Sequence, residues 1–144
     1  MSRDVVVRRG LAVAYVGYLI ALFVLVFDPS QQAPGASLSL VTRVLNLLQV
    51  PVSAESRALE FVSNVALFVP FGLLGGLLWR NRRLLVWTLA AAALSTTIEV
   101  CQLLFLPHRF GTVSDVVANT AGSTLGALLV RAWSLALRRR RSSS

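Results

Sequence analysis

EVCQLLFLPHRFGTVSDVVANTAGSTLG, residues 99–126, joins two apolar runs through a short loop and places acidic and amide side chains in both. Glu99 and Gln102 lie near the end of the first run, and Asp115 and Asn119 open the second. A carboxylate at the centre of a membrane helix costs about 2.5–3.5 kcal/mol on insertion scales. A membrane chain that carries two of them is therefore expected to give them partners or a function.

The composition predicts a membrane protein. The chain has 144 residues, of which 56% are hydrophobic, and its mean hydropathy is +0.71. A soluble domain of this size could not bury so much apolar surface, and the apolar residues fall in long uninterrupted runs. We expect one membrane domain over residues 1–144, because the chain shows no internal repeat and no second domain.

The pattern predicts an all-α fold, a bundle of four transmembrane helices with one short interfacial helix. The predicted spans cover residues 11–27, 61–79, 84–106 and 115–137. Residues 38–49 are too short to span, and their apolar residues share one helical face, so we expect an amphipathic helix lying in the interface. A cleavable signal peptide is the alternative for the first run, but Asp28 and Pro29 follow it directly, which favours a retained helix.

The arginines predict the orientation. With four spans, one side of the membrane receives eleven of the fourteen basic residues, and this side is expected to be cytoplasmic, with both termini. Such a charge is typical of membrane topology and of contact with anionic lipids, so we expect no nucleic-acid partner. The eleven are Arg3, Arg8, Arg9, Arg80, Arg82, Arg83, Arg131, Arg138, Arg139, Arg140 and Arg141.

On this topology, the unusual polar residues of the spans converge on the outer half of the membrane. We expect them to line a ligand-binding pocket with Arg109 of the outer loop. The predicted pocket residues are Asn64, Glu99, Gln102, Arg109, Asp115 and Asn119. Two pairs of glycines, four residues apart, would let the second and fourth spans approach closely. These predicted packing residues are Gly72, Gly76, Gly122 and Gly126.

Each polar residue also has a purely structural interpretation. Thr112 and Asp115 have the spacing of a helix capping box. Asn64, Gln102 and Asn119 could be interhelical hydrogen-bond donors, worth about 0.6 kcal/mol each. Arg109 is expected to pair with Glu99 or Asp115, because pairing lowers the cost of burying a carboxylate.

The same residues carry a resemblance to a known family. Asn64-x3-Phe68-x-Pro70-x-Gly72, then Glu99-x2-Gln102, then Arg109-x5-Asp115-x3-Asn119-x2-Gly122-x3-Gly126 resembles the VanZ-like family. Those are small bacterial membrane proteins named for a factor linked to low-level teicoplanin resistance. The resemblance covers residue 64 to about residue 129 and implies a setting in the bacterial cell envelope.

Three functions stay open at this point. The first is binding or modification of an amphiphilic, lipid-linked envelope component at the outer pocket. The second is an intramembrane enzyme, for which Glu99 and Asp115 are the catalytic candidates as acid and base. The third is a structural subunit of a membrane complex, and the oligomeric state is open as well. With one cysteine, Cys101, and one histidine, His108, the chain has no multi-ligand metal pattern, so we expect no metal and no cofactor.

Overall fold

A computed structural model describes residues 3–27, 52–105 and 112–142 of the chain. Within these ranges, the secondary structure consists of four α-helices and the tight turn between the second and the third. We number them in chain order: α1 (Arg3–Val26), α2 (Val52–Leu78), α3 (Leu84–Phe105) and α4 (Val113–Ser142).

The predicted fold class is confirmed, because all four helices are long and apolar enough to cross a membrane. The helices extend beyond the predicted spans, most clearly at the starts of α1 and α2 and at the end of α4. Hydropathy marks only the part of a helix that suits hydrocarbon, whereas arginine is a good helix former and continues the helix into the polar region. The amphipathic helix over residues 38–49 lies outside the described residues and stays a prediction.

The outer surface of the bundle is apolar. Large hydrophobic side chains on every helix point away from the neighbouring helices, and Phe105 is 74% exposed. In water such a surface would be an aggregation hazard, whereas in a membrane it faces the lipid chains. Thr96 and Thr97 also point outward, and each hydroxyl donates to the carbonyl one turn earlier, at 2.8 Å, which satisfies it without water.

The parallel pair of α2 and α4 is the centre of the bundle. A methyl group added to Gly122 would overlap the carbonyl oxygen of Val65, and one added to Gly126 would overlap the carbonyl oxygen of Val69. From the other side, Gly72 lies directly against the backbone of Ser123. Backbones can approach this closely only where both helices carry small residues, as is typical of packing in lipid.

The fourth predicted packing glycine behaves differently. A Cβ on Gly76 would lie 3.5 Å from the Val130 side chain, which is an ordinary contact. The glycine that is tightly enclosed here is its neighbour Gly75, where an added Cβ would meet the indole ring of Trp87 on α3. Gly75 was not predicted from the sequence, because its partner is an aromatic ring rather than a second glycine.

α1 packs on α2 through aromatic side chains. The Tyr15 ring lies 5.9 Å from the rings of both Phe71 and Trp79. The Tyr18 hydroxyl donates to the carbonyl oxygen of Leu67 at 2.9 Å, beside Pro70, where the ring interrupts the backbone hydrogen bonds of α2. These contacts make α1 an integral part of the bundle, and whether the first run is retained stays a prediction.

The bundle has two chemically different ends. The end that holds the start of α4 carries Asp115, and we call it the Asp115 end. The opposite end holds the α2–α3 turn, with Arg80, Arg82 and Arg83, and the basic last turns of α4, and we call it the arginine end.

Candidate functional site

Asp115 connects α4 to α2 at the Asp115 end. Its side chain is 9% exposed, and both carboxylate oxygens accept hydrogen bonds. Asn64 Nδ2 of α2 donates to Oδ1 at 2.6 Å, and the Thr112 hydroxyl donates to Oδ2 at 2.9 Å. The structure therefore brings two predicted pocket residues, Asn64 and Asp115, into direct contact.

Thr112 and Asp115 also organise the beginning of α4. The Asp115 amide donates to the Thr112 hydroxyl at 3.3 Å, and the carboxylate returns to the same hydroxyl. The bond from the Asp115 amide to the Thr112 hydroxyl is one half of a capping box. In place of the second half, the Asp115 carboxylate accepts a hydrogen bond from the same hydroxyl. A carboxylate in the first turn also interacts favourably with the helix dipole. Asp115 thus has a capping role and an interhelical role at once.

Asn119 lies one turn further along the same face of α4 and contacts α3. Its Nδ2 donates to Ser95 Oγ at 2.7 Å. The residue is only 5% exposed, and within the described residues its Oδ1 is a buried oxygen with no hydrogen-bond partner. An amide oxygen left in this state costs about 1–3 kcal/mol.

Further polar contacts continue the line toward the arginine end. The Ser123 hydroxyl donates to the Trp87 carbonyl at 3.2 Å, and the hydroxyls of Thr88 and Thr124 are 2.9 Å apart. We call the residues of this line the polar seam. They are Asp115, Asn119, Ser123 and Thr124 of α4 with Asn64, Ser95 and Thr88 of the neighbouring helices.

The seam runs about 14 Å along α4, from Asp115 to Thr124, at 1.5 Å per residue. Sequence reasoning missed its lower part, Ser123, Thr124 and Thr88. Ser123 could have been predicted from its spacing. It follows Asn119 by four residues, as Asn119 follows Asp115, and residues four apart share a helix face.

Gln102 belongs to a different contact. It is 5% exposed, and its Nε2 donates to the carbonyl oxygen of Val26 at 2.9 Å. Val26 is the last residue of α1, where carbonyls have no partner within the helix. Gln102 therefore caps the C-terminus of α1 from α3, which is the structural role that the sequence analysis left open for it.

The remaining predicted pocket residues are placed only in part. Glu99 lies on α3 between Ser95 and Gln102 and is half-buried. Arg109 and His108 lie outside the described residues, so the pairing of Arg109 with Glu99 or Asp115 stays a prediction. Within the described part of the chain, no three acidic, histidine or cysteine side chains come together as metal ligands.

Asp115 and Asn119 differ in how far their hydrogen bonds are satisfied. Both oxygens of Asp115 are held by donors, which fixes the side chain in place. Deeper in the seam, Asn119 Oδ1 has no partner among the described residues, and it can accept from a hydroxyl or an N–H group. A neutral acceptor of this kind recognises a polar group and does not transfer a proton.

These features define a multi-pass α-helical membrane protein with a polar seam between its helices. The sequence model of the VanZ/LLP1 family matches residues 15–135, and the chain belongs to this family. The chain is 32% identical over 124 residues to "Protein VanZ" of Enterococcus faecium. The matched region covers 86% of this chain and 73% of that protein. No solved structure matches the chain. The resemblance found in the sequence is thereby confirmed.

Proposed function

We propose that the protein acts in the bacterial cytoplasmic membrane by binding the polar head of an amphiphilic envelope component at the Asp115 end. Both termini would lie in the cytoplasm, so that this end faces outward. The likeness to the VanZ family adds a second part to the proposal, a contribution to tolerance of teicoplanin-type antibiotics.

The observation that supports binding is the buried Asn119 side chain. Its Nδ2 donates to Ser95 Oγ, while its Oδ1 accepts no hydrogen bond among the described residues. A buried amide oxygen in a native protein is normally satisfied by protein, water or ligand. This oxygen lies one helical turn from Asp115, so a polar group that reaches Asp115 would have a second acceptor within one turn.

The charge distribution supports the outward orientation. In sequence terms, eleven of the fourteen arginines belong to the arginine end and its flanking tails. Basic residues flanking membrane spans are retained on the cytoplasmic side. The Asp115 end then faces the side where envelope components with a lipid tail and a polar head are exposed.

A comparison of Asn119→Leu with Ser95→Ala tests the proposal. Both changes remove the hydrogen bond between Asn119 and Ser95, but only Asn119→Leu removes the buried oxygen. Each variant and the unaltered chain are expressed in a teicoplanin-susceptible Gram-positive host, and the minimal inhibitory concentration is measured at matched membrane levels. We expect Asn119→Leu to lose the gain in tolerance and Ser95→Ala to retain most of it.

Other outcomes contradict separate parts of the proposal. If the unaltered chain does not change the inhibitory concentration, the antibiotic part is wrong. If Ser95→Ala and Asn119→Leu lose tolerance equally, the contribution of Asn119 is its interhelical bond, and the ligand-binding part is wrong.

A further inference from the structure

A groove of about 550 Å³ opens at the arginine end, between α4 and the α2–α3 turn. Four arginines line it. Arg80 and Arg82 come from the turn, and Arg131 and Arg138, two helical turns apart on one face, come from α4. Among the described residues, the lining contains no carboxylate.

The floor of the groove is apolar. Trp79 and Trp87 both line it, with ring centroids 5.9 Å apart, and Leu84 and Leu128 extend the same surface. Trp79 is 43% exposed, so one indole is available at the mouth. Tryptophan is enriched at the level of lipid headgroups because its ring is apolar and its N–H is polar. The groove thus combines a cationic rim with an apolar floor.

The packing of α2 on α4 explains why the groove is open. The two backbones are in closest contact at Gly72 and Gly126, whereas Gly76 meets Val130 only at an ordinary contact distance. α2 then ends at Leu78, while α4 continues to Ser142. α4 thus extends past the end of α2, and Arg131 and Arg138 line the space beside the turn.

A second groove, on the other side of the turn, is a natural comparison. It shares Arg80 and Arg82 and adds Arg8 of α1, but Asp4 also lines it. The carboxylate reduces the attraction for an anion. The first groove is therefore the stronger anion site of the two.

We propose that the groove lined by Arg80, Arg82, Arg131 and Arg138 binds the headgroup of an anionic phospholipid that carries two phosphates. Guanidinium groups form two-point hydrogen bonds with phosphate oxygens, and four of them match a diphosphate headgroup better than a single phosphate. Basic pockets between membrane helices on the cytoplasmic side are typical sites for such lipids. The apolar floor receives the first part of the acyl chains.

The test is a lipid titration of the purified full-length chain in detergent, followed by native mass spectrometry. The probes are cardiolipin, with two phosphates, phosphatidylglycerol, with one, and inorganic pyrophosphate, without acyl chains. We expect one cardiolipin to bind more tightly than either of the other two at equal phosphate concentration.

Two neighbouring arginines provide a matched pair of variants. Arg82 lines the groove, whereas Arg83, the next residue in the same exposed turn, does not. Arg82→Gln and Arg131→Gln are each expected to weaken cardiolipin binding about fivefold, the typical contribution of one basic residue near anionic lipid. Arg83→Gln is expected to leave it unchanged. Thermal unfolding of the lipid-free proteins checks that each variant is folded. Arg82 lies in a turn, so Arg82→Gln tests the groove even if Arg131→Gln is unstable.

Three results would overturn the proposal. Equal weakening by Arg83→Gln would mean that total surface charge, and not the groove, attracts the lipid. Equal binding of phosphatidylglycerol would remove the preference for two phosphates. Equal binding of pyrophosphate would mean that the ligand is a soluble phosphate compound rather than a lipid.

Discussion

At the scale of single residues, the bundle satisfies the polar side chains of its spans in two ways. Hydroxyls that face lipid, such as those of Thr96 and Thr97, bond to their own helix. Amides and carboxylates that face the interior bond across helices, as Asn64 does with Asp115. Hydrogen bonds of the second type join two helices. In a medium without water, removing one partner costs stability, because the other partner stays buried without a hydrogen bond.

Asn64→Leu is therefore expected to destabilise the protein. The change removes the donor to Asp115 Oδ1, and an interior acceptor without its partner costs about 1–3 kcal/mol. The measurement is the free energy of unfolding in detergent micelles. Thr96→Val is the control, since it removes a hydroxyl that bonds only to Ala92 of its own helix in the described contacts. Equal stability of both variants would contradict an interhelical role for Asn64.

At the scale of helices, the α2–α4 pair is defined by close backbone approach. Gly122 and Gly126 of α4 and Gly72 of α2 lie at backbone contacts, whereas Gly17 of α1 has nothing within 4 Å of where a Cβ would be. A glycine at a helix contact is needed for space, and a glycine on a free face only lowers helix propensity, by about 1 kcal/mol relative to alanine. The same residue type thus has opposite effects in two helices.

Gly122→Ala and Gly17→Ala should accordingly change stability in opposite directions. At Gly122 the added methyl overlaps the Val65 carbonyl oxygen, so we expect the helices to separate at a cost of about 1–3 kcal/mol, as for other overpacked cores. At Gly17 we expect no loss or a small gain. Unfolding of both variants in detergent measures the difference.

Gly76→Ala provides a stricter control on α2 itself. Its Cβ would make an ordinary contact with Val130, so we expect stability close to that of the unaltered protein. A loss as large as that of Gly122→Ala would show that the two helices are equally tight along their whole length, which would also close the groove at the arginine end.

At the scale of the whole molecule, polarity is divided between the two ends. α4 illustrates the division, because it begins with Asp115 in its first turn and finishes in a run of arginines. Thirty residues of helix extend about 45 Å, longer than the hydrocarbon core of about 30 Å. The last turns of α4 therefore reach the headgroup region or beyond it, where the arginines are hydrated.

The orientation of the molecule is expected to follow from these arginines, with both termini in the cytoplasm. The test is labelling with a membrane-impermeant thiol reagent in intact cells. Ser37→Cys and Ser143→Cys are introduced separately into a Cys101→Ser background. We expect label at position 37 and none at position 143. Label at position 143 but not at position 37 would mean that the protein is inserted the other way round.

The sequence alone determined the class of fold, with four helices of membrane length, although α1 and α2 begin at Arg3 and Val52, well before the predicted spans. Apolar runs of membrane length can be recognised without tertiary information, because each span satisfies its own backbone hydrogen bonds. Helical spacing also determined that Asp115 and Asn119 share one face of α4. The hydrogen-bond partners of these two residues could be predicted only in part. Asn64 was predicted as a neighbour of Asp115, but Ser95 was not predicted as the acceptor of Asn119.

The tertiary structure decided which groups actually meet. Gln102 caps α1 at Val26 instead of joining the polar seam, and Gly75, beside the predicted Gly76, is the glycine enclosed by Trp87. These outcomes depend on the axial register and the crossing of neighbouring helices. A shift of one residue along a helix turns a side chain by about 100°, toward a different neighbour. Local patterns define the faces of each helix, but only the packed bundle defines what each face contacts.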